Sequence, residues 1–184
     1  MLRPFLRKRI RSKMLYIAST LLWLPLILHA SIGFAKTEQD IKAAYLYNFI
    51  KFIAWPGITD QTEFNLCVIG EDPINEKLKA LDSRPVHHLN LHVEHFYTPD
   101  TNKNCHVVFV GESETKFIDK ILKFYSHTPT LTVSSTDGFI HRGGMIGFIT
   151  LGNMIRFDIN LKQAKETQLS ISSKLLELAN QVEQ

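Results

Sequence analysis

The sequence predicts an α/β fold: a single-domain layered sandwich with a mixed, mostly parallel sheet, flanked by helices and closed by a C-terminal β-hairpin. Three observations support this. Strand-like and helix-like segments alternate along the chain, as in layered α/β proteins. A strand that leads through Gly and Glu into a helix occurs twice, at Gly70 and Gly111. Two apolar runs flank Leu151-Gly152-Asn153, a hairpin pattern that makes the sheet mixed.

The first predicted helix begins at Thr37 and runs to about Ala54. Asp40, three residues after Thr37, completes a pattern typical of a capping box, and Trp55-Pro56-Gly57 terminates the helix. The apolar stripe on this helix is wider than usual and includes Ile41, Tyr45, Leu46, Tyr47, Phe49, Ile50, Phe52 and Ile53. Such a helix is either enclosed in the core or presents a second apolar face to a partner, and the pattern leaves both open.

The helix after residue 70 has Asp72 and Pro73 at its start, the residue types preferred at the N-cap and the first helical position. The run 106–110 is continuously apolar, which is typical of a strand buried on both faces. In chain order, the predicted elements after the first helix are a strand at 64–69, a helix ending near 81, extended chain at 86–96, a strand at 106–110, a helix at 111–125, strands at 130–133, 145–150 and 154–159, and helices at 161–166 and 172–182.

Composition and charge exclude several classes of protein. The chain has 184 residues, of which 45% are hydrophobic and 21% charged, so it is neither intrinsically disordered nor collagen-like. Residues 1–35 hold six of the 21 basic residues and no acidic residue. Residues 36–184 therefore carry 15 basic and 18 acidic residues, a net charge of −3. This balance argues against a nucleic-acid-binding body, which needs a basic face.

Residues 1–35 have the pattern of a secretory signal peptide. A basic stretch is followed by an apolar run from Met14 to Leu28 and then by Gly33-Phe34-Ala35, the best cleavage site. The run is about 15 residues long, shorter than the ~20 needed to span a bilayer. We therefore expect cleavage after Ala35 and export of a domain at 36–184, with a retained N-terminal anchor as the alternative.

The chain has two cysteines, Cys67 and Cys105. Export makes a disulfide between them chemically permissible. The alternative is two separate buried thiols, because free cysteine is often buried.

No motif of a known catalytic or metal site is present in the sequence. It lacks a P-loop, a G-x-S-x-G elbow and H-E-x-x-H. The histidine-rich segment 87–95 is predicted to be extended, and histidines four residues apart on a strand lie about 13 Å apart, too far to bind one ion. We therefore predict no metal, no cofactor and no catalytic residue. The densest polar loop contains Asp137, His141 and Arg142, which either hold a carboxylate or peptide or stabilise the loop through an Asp–Arg contact.

The order and spacing of several segments resemble the YfiR-like family of exported regulators. These segments are 41–49 (IKAAYLYNF), 51–52 with 55–56, 64–70 (FNLCVIG) with 72–73, 105–110 (CHVVFV), 139 with 142–146 (RGGMI), 156–161 (RFDINL) and 169–176 (LSISSKLL). The resemblance covers residues 37–182, essentially the whole domain.

The resemblance implies a function rather than a reaction. Members look like periplasmic inhibitors that bind the periplasmic sensory region of an inner-membrane diguanylate cyclase and lower cyclic di-GMP synthesis. It further implies an outer-membrane lipoprotein that sequesters the inhibitor, a homodimer, and no nucleic acid as a partner. A family disulfide falls at Cys67 and Cys105. If Gly70 and Gly111 lie level on neighbouring strands, the cysteines are offset by about 10 Å, so the bond requires a staggered register or a chain that curls back before His106.

The candidate partner-binding residues come from two sources. Phe49, Phe52, Trp55 and Arg142 are of the types favoured at interface hot spots, and the family-like segments add Gly143, Gly144, Arg156, Asn160 and Lys174. The alternative function is a periplasmic small-ligand binding protein accessory to an outer-membrane receptor. An α/β fold places such a pocket at the carboxyl ends of its strands.

Overall fold

The structure, a computed structural model, describes residues 36–100 and 103–184. The predicted signal peptide, residues 1–35, lies outside the described residues. The described residues form five α-helices: α1 Glu38–Phe52, α2 Asn75–Lys79, α3 Ile118–Tyr125, α4 Leu161–Glu166 and α5 Ser173–Leu178. They also form ten strands: β1 Ile53–Ala54, β2 Phe64–Ile69, β3 Pro85–Val86, β4 Leu89–Phe96, β5 Val107–Val110, β6 Leu131–Ser134, β7 Ile146–Leu151, β8 Met154–Asn160, β9 Ser170–Ile171 and β10 Gln181–Glu183.

Eight strands form one sheet in the order β10-β8-β7-β6-β5-β2-β4-β3. β4, β2, β5, β6 and β7 run parallel to one another. β8 returns antiparallel to β7, β3 pairs antiparallel with β4, and β10 lies parallel to β8 at the edge. The predicted α/β fold, with a mixed, mostly parallel sheet and a β7–β8 hairpin, is confirmed. β1 and β9 form a separate antiparallel pair that the sequence pattern does not predict.

α1 begins with the predicted capping box. Thr37 Oγ1 accepts a hydrogen bond from the Asp40 N–H at 3.2 Å, and the Thr37 N–H donates to Asp40 Oδ2 at 2.9 Å. Lys77 Nζ lies 2.7 Å from the same carboxylate. Lys77 and Thr37 together hold the pKa of Asp40 well below its usual range. This network fixes the start of α1 and ties it to α2 through Lys77.

Each face of the sheet carries its own cluster of buried apolar residues. The large core lies on the face covered by α1, α2, α4 and α5, and includes Leu46, Phe49 and Leu175. The small core lies on the opposite face beneath α3, and includes Ile118 and the two cysteines. The wide apolar stripe is thus mostly enclosed. Four of its residues are buried, Leu46, Phe49, Ile50 and Ile53, and the others pack against the large core.

The last helix is shorter than predicted. It ends at Leu178 rather than Val182, because Asn180 donates its N–H to the Phe157 carbonyl at 2.9 Å and the chain then pairs with β8 as β10. Val182 therefore reaches the large core from a strand. Pairing with a distant strand overrides the helical spacing of the apolar residues.

Residues 86–96 are not one extended segment. The chain turns at His87, where φ is +52°, and β3 folds back on β4. Along β4 the side chains of Leu89 and Leu91 are buried while that of His92 is exposed, which is the period of two expected of a strand with one solvated face.

Two helices start later than predicted. Asp72 Oδ1 accepts a hydrogen bond from the Ile74 N–H at 3.0 Å and so holds a turn, after which α2 begins at Asn75. The segment after Gly111 first forms a short 3₁₀ turn, Glu112–Glu114, and only then α3.

No helix within the described residues is both long and apolar enough to cross a bilayer.

Candidate functional site

The candidate partner-binding residues divide into buried and accessible side chains. Phe49 and Trp55 are buried, at 0% and 5% exposure. The Phe49 ring packs against Phe148 and Phe157, with centroids 5.7 and 4.8 Å away. Trp55 donates its Nε1–H to the His106 carbonyl at 3.0 Å. With so little exposed area, both rings hold α1 and the chain after it against the sheet.

Phe52 and Lys174 are brought together where α1 meets α5. Lys174 Nζ lies over the Phe52 ring, 5.4 Å from its centroid, a cation–π contact. The Phe52 carbonyl accepts the Ser172 N–H at 3.0 Å, and the Ser172 side chain caps α5. Phe52 is half-buried and Lys174 is exposed. The pair forms an accessible spot that is both aromatic and basic.

Arg142 lies in a 3₁₀ turn, Ile140–Arg142, and reaches across to α3. Its Nε donates to Asp119 Oδ1 at 2.8 Å, and its Nη1 donates to the Thr115 carbonyl at 3.1 Å. The Asp119 carboxylate raises the pKa of Arg142, and the hydrogen bond from Arg142 lowers the pKa of Asp119. The ion pair of this loop is therefore made with α3 rather than with Asp137, the acidic residue that is nearest in the loop sequence.

Gly143, Gly144 and Asn160 lie around the same turn. Gly143 ends the turn with φ of +94°, a conformation that glycine adopts without steric cost. A Cβ on Gly144 would overlap the Phe139 ring. The buried Asn160 donates its Nδ2–H to the Ile140 carbonyl at 3.1 Å, and its Oδ1 caps α4. These three residues shape and anchor the turn that carries Arg142.

Arg156 lies on β8, apart from these contacts. Its side chain is exposed, its Nη2 lies 3.9 Å from the Met154 sulfur, and it stands opposite Ile149 of β7. Leu151 and Met154 near the hairpin turn are exposed as well, at 45% and 55%. This side of the hairpin presents an open surface that combines apolar side chains with a guanidinium group.

Cys67 and Cys105 form a disulfide, with their Cα atoms 5.8 Å apart. Cys67 lies opposite Val108 in the register of β2 and β5, so the chain before β5 curls back to bring Cys105 within bonding distance. The Tyr125 hydroxyl donates to Cys105 Sγ at 3.9 Å, and burial raises the pKa of Tyr125 to about 12. The bond that the family resemblance implies is present, and it fits an oxidising compartment.

A cavity of about 410 Å³ opens beside the disulfide, where β5 and β6 begin, and Trp55, His106 and Tyr125 line it. His106 is buried, at 6% exposure, and its Nδ1 accepts the Asn65 N–H at 2.9 Å. Burial lowers the pKa of His106. An Nδ1 that accepts a hydrogen bond belongs to a neutral imidazole. The hydrogen bond and the burial therefore both favour the neutral form of His106.

A small-ligand binding protein of this fold would have its pocket at the carboxyl ends of the parallel strands. Here the segments that follow β2 and β5 are hydrogen-bonded to each other at those ends. The Glu71 N–H donates to Ser113 Oγ at 2.8 Å, and the Glu112 N–H donates to Asp72 Oδ2 at 3.2 Å. A Cβ on Gly70 would meet the side chains of the loop after β5. The cavity beside the disulfide is therefore at the opposite ends of the strands from the predicted pocket.

The histidine-rich segment makes separate local contacts. His95 Nε2 lies 2.9 Å from the Gly70 carbonyl oxygen, and His92 Nδ1 lies 3.6 Å from Asp82 Oδ1. Within residues 36–100 and 103–184, no group of three or more His, Cys, Asp and Glu side chains is arranged to hold a metal ion.

An aromatic groove along the outer side of α3 is absent from the sequence-based candidates. It measures about 720 Å³, and its lining includes Tyr97, Pro99, Phe117, Lys120 and Phe124. Its three aromatic rings are exposed at 75%, 57% and 38% in chain order.

The sequence of α3 contains a signal for this groove. Ile118, Ile121, Leu122 and Tyr125 form a stripe at i, i+3, i+4 and i+7, and all four are buried. Phe117 and Phe124 lie seven residues apart beside that stripe, where a helix needs no apolar side chain.

Comparison with known proteins identifies one family and one fold. The family model described as YfiR/HmsC-like matches residues 39–180. No curated protein matches the chain significantly. Among solved structures, the chain is similar to a conserved domain protein from Vibrio cholerae O1 biovar El Tor strain N16961, with a TM-score of 0.54 and 10% identity over 80% of this chain. The chain spans 60% of that protein's length, and this likeness concerns the fold alone.

Proposed function

This chain belongs to the YfiR/HmsC-like family, and on that premise we propose that it is an exported regulatory protein. It binds the periplasmic sensory region of an inner-membrane diguanylate cyclase and inhibits it, which lowers cyclic di-GMP signalling and so regulates biofilm formation. It carries out no reaction of its own. Residues 1–35 act as a signal peptide that is cleaved after Ala35, and residues 36–184 act in the periplasm.

The observation that carries this proposal is the extent of the family match, which covers residues 39–180, most of the proposed domain 36–184. The Cys67–Cys105 disulfide supports the compartment, because such bonds persist in oxidising environments. The partners that follow from family membership are the cyclase, an outer-membrane lipoprotein that withdraws the inhibitor, and a second copy of the chain.

Accessible side chains narrow the surface of contact. Phe52, Lys174 and Arg156 are available to a partner, whereas Phe49 and Trp55 are buried. Arginine and aromatic side chains supply much of the energy at interfaces. We propose the Phe52–Lys174 spot and the Arg156 face of the hairpin as contact regions, with Arg142 keeping its neighbouring turn in place.

The experiment measures the cellular level of cyclic di-GMP in the native host with the chain present, deleted and restored. Deletion should raise cyclic di-GMP and restoration should lower it again, because an inhibitor has been removed and returned. An unchanged level, in cells whose membrane contains the cyclase, would contradict the proposal.

Charge-reversal variants locate the contact. Arg156→Glu and Lys174→Glu should each restore less inhibition than the parent chain at equal periplasmic abundance. Lys165→Glu is the matched control, because Lys165 is an exposed lysine on α4 outside both regions. Equal inhibition by all three variants would remove these two regions from the proposed interface.

A further inference from the structure

The aromatic groove beside α3 is a second accessible surface with its own chemistry. Among the described residues, the exposed Phe, Tyr and Trp side chains are Tyr97, Phe117 and Phe124, and all three line this groove. Exposed aromatic rings are normally scattered, and a concentration of them around a concave surface marks an interaction site.

The outer side of the groove is basic, whereas Glu114 lies in the lining and Glu112 and Asp119 are exposed nearby. Lys116, Lys120 and Lys123 are exposed along the outer side of the α3 segment, and none of them lies within ion-pair distance of an acidic side chain among the described residues. Asp119, the acidic residue between them, is instead held by Arg142 at 2.8 Å. Because Asp119 pairs with Arg142, Lys120 and Lys123 have no carboxylate partner within α3. The acidic side chain in the lining is Glu114, which accepts a hydrogen bond from Ser113.

Helix geometry places these groups in adjacent strips. With 3.6 residues per turn, Phe117 and Phe124 lie beside the buried stripe of α3, and Lys120 and Lys123 lie farther out. The two rings are about 10 Å apart along the helix axis, and Tyr97 faces them from the chain that follows β4. An apolar side chain can enter between the rings while acidic groups beside it meet the lysines.

We propose that this groove binds a short acidic segment of a partner protein, anchored by one bulky apolar side chain between Phe117, Phe124 and Tyr97. A second copy of this chain is disfavoured, because a two-fold contact through the groove would bring the same lysines against each other. A membrane surface is disfavoured because the aromatic side chains line a concave slot, whereas an interfacial helix lays a convex apolar face on lipid. The inference goes beyond the proposed inhibition, since it names a surface and the chemistry of its occupant.

The test places a photo-crosslinking phenylalanine, p-benzoylphenylalanine, at position 117 of the full-length chain expressed in its native host. The same group at position 178 is the control, because Leu178 is equally exposed, at 55% against 57%, and lies on α5. The crosslinked peptide is identified by mass spectrometry. We expect a protein segment that contains two or more acidic residues and a bulky apolar residue, captured at 117 and not at 178. Capture of a second copy, capture of a segment without acidic residues, or equal capture at both positions would overturn the inference.

Charge reversal and lipid binding provide the remaining outcomes. Lys120→Glu with Lys123→Glu should lower the crosslinking yield at position 117 by about five-fold, as expected for the loss of two exposed ion pairs. Lys165→Glu should leave it unchanged. The purified domain should not sediment with vesicles of phosphatidylglycerol and phosphatidylethanolamine, and sedimentation that Phe117→Ser abolishes would assign the groove to a membrane instead.

The crosslinking result for the groove can be distinguished from the result of the cyclic di-GMP experiment. If Phe117→Ser with Phe124→Ser leaves cyclic di-GMP control intact while the acidic segment still crosslinks to the parent chain, the groove serves a different partner. If deletion of the chain leaves cyclic di-GMP unchanged while the crosslink forms, the inhibition proposal fails and the groove inference stands.

Discussion

The face of the sheet that packs on α1 and the face that packs on α3 differ in what holds them. Among the described residues, four helices cover the first face, and in the large core there the Phe49 ring contacts those of Phe148 and Phe157. Of the helices in the described residues, α3 alone covers the second face, and the small core there includes the Cys67–Cys105 disulfide. The large core is stabilised by buried apolar area, whereas the small core adds a covalent link to a limited apolar area. The difference predicts that the same kind of substitution has different effects on the two faces.

The largest expected effect comes from Phe49→Ala. The Phe49 ring is fully buried between α1 and the β7–β8 hairpin, so its removal should lower the free energy of unfolding by about 3–5 kcal/mol. The measurement is urea denaturation of the purified domain. Phe117→Ala removes the same ring from an exposed position and should change the value by less than about 0.5 kcal/mol. If the two variants lost similar amounts of free energy of unfolding, burial of Phe49 would not be a main source of stability in the large core.

The next effect is removal of the disulfide by Cys67→Ala with Cys105→Ala. The bond joins residues 38 positions apart, and a loop of that size predicts a loss of about 3–4 kcal/mol in the chain-entropy model. Hydrogen exchange separates the two faces. Amides of α3 should lose more protection than amides of α1, because α3 packs on the small core that contains the bond. Equal loss in both helices would mean that the faces unfold as one unit.

Local signals explain which elements the sequence predicts well. The strand 64–69 and the helix 161–166 have the predicted bounds. Apolar patterning defines the strand, and the helix begins directly after Asn160, whose side chain caps it. The end of the chain differs, because β10 depends on pairing with β8 some twenty residues earlier. No pattern within 172–182 contains that information, so the apolar spacing there indicates a helix.

Residue type alone does not distinguish a buried aromatic from an exposed one. Phe49 and Phe117 are the same residue type on helical segments, yet their exposures are 0% and 57%. Residue type selects Phe49 as a candidate contact, but its role in this structure is packing, and the family-like segments do not include Phe117. The disulfide is predictable only through the family resemblance, because spacing along neighbouring strands argues for a 10 Å offset that the curl before β5 removes.

Glycine substitutions test the edge of the small core. Gly144→Ala would drive a methyl group into the Phe139 ring, which is buried in that core, and should cost about 1–3 kcal/mol. Gly143→Ala meets open space but keeps a left-handed φ of +94°, so it should cost about 1 kcal/mol. Thermal unfolding of both variants gives the order. A larger loss for Gly143→Ala would show that the Phe139 side of the small core is loosely packed.

The smallest expected effect concerns His106, which links the two faces. Its ring stacks on Phe64 of the large core at 4.6 Å, and it follows Cys105 of the small core directly. Burial lowers its pKa in the folded state, whereas the unfolded chain binds a proton there below about pH 6.5. The unfolded state therefore holds more protons below that pH, and the free energy of unfolding falls as the pH decreases, by at most about 1.4 kcal/mol per pH unit.

Urea denaturation at pH 7.5, 6.5 and 5.5 measures this slope. This pH range lies above the titration of three carboxylates whose pKa values are lowered in the folded state, Asp40, Asp82 and Asp119. The stability that they contribute is lost only below about pH 5. His106→Asn keeps an acceptor for the Asn65 N–H without a titrating ring, so its slope should be flatter than that of the parent chain. His127→Asn is the control and should retain the parent slope, because His127 is an exposed histidine with no ion pair to a described acidic side chain. A parent slope that survives in His106→Asn would place the titration elsewhere and separate His106 from the stability of either face.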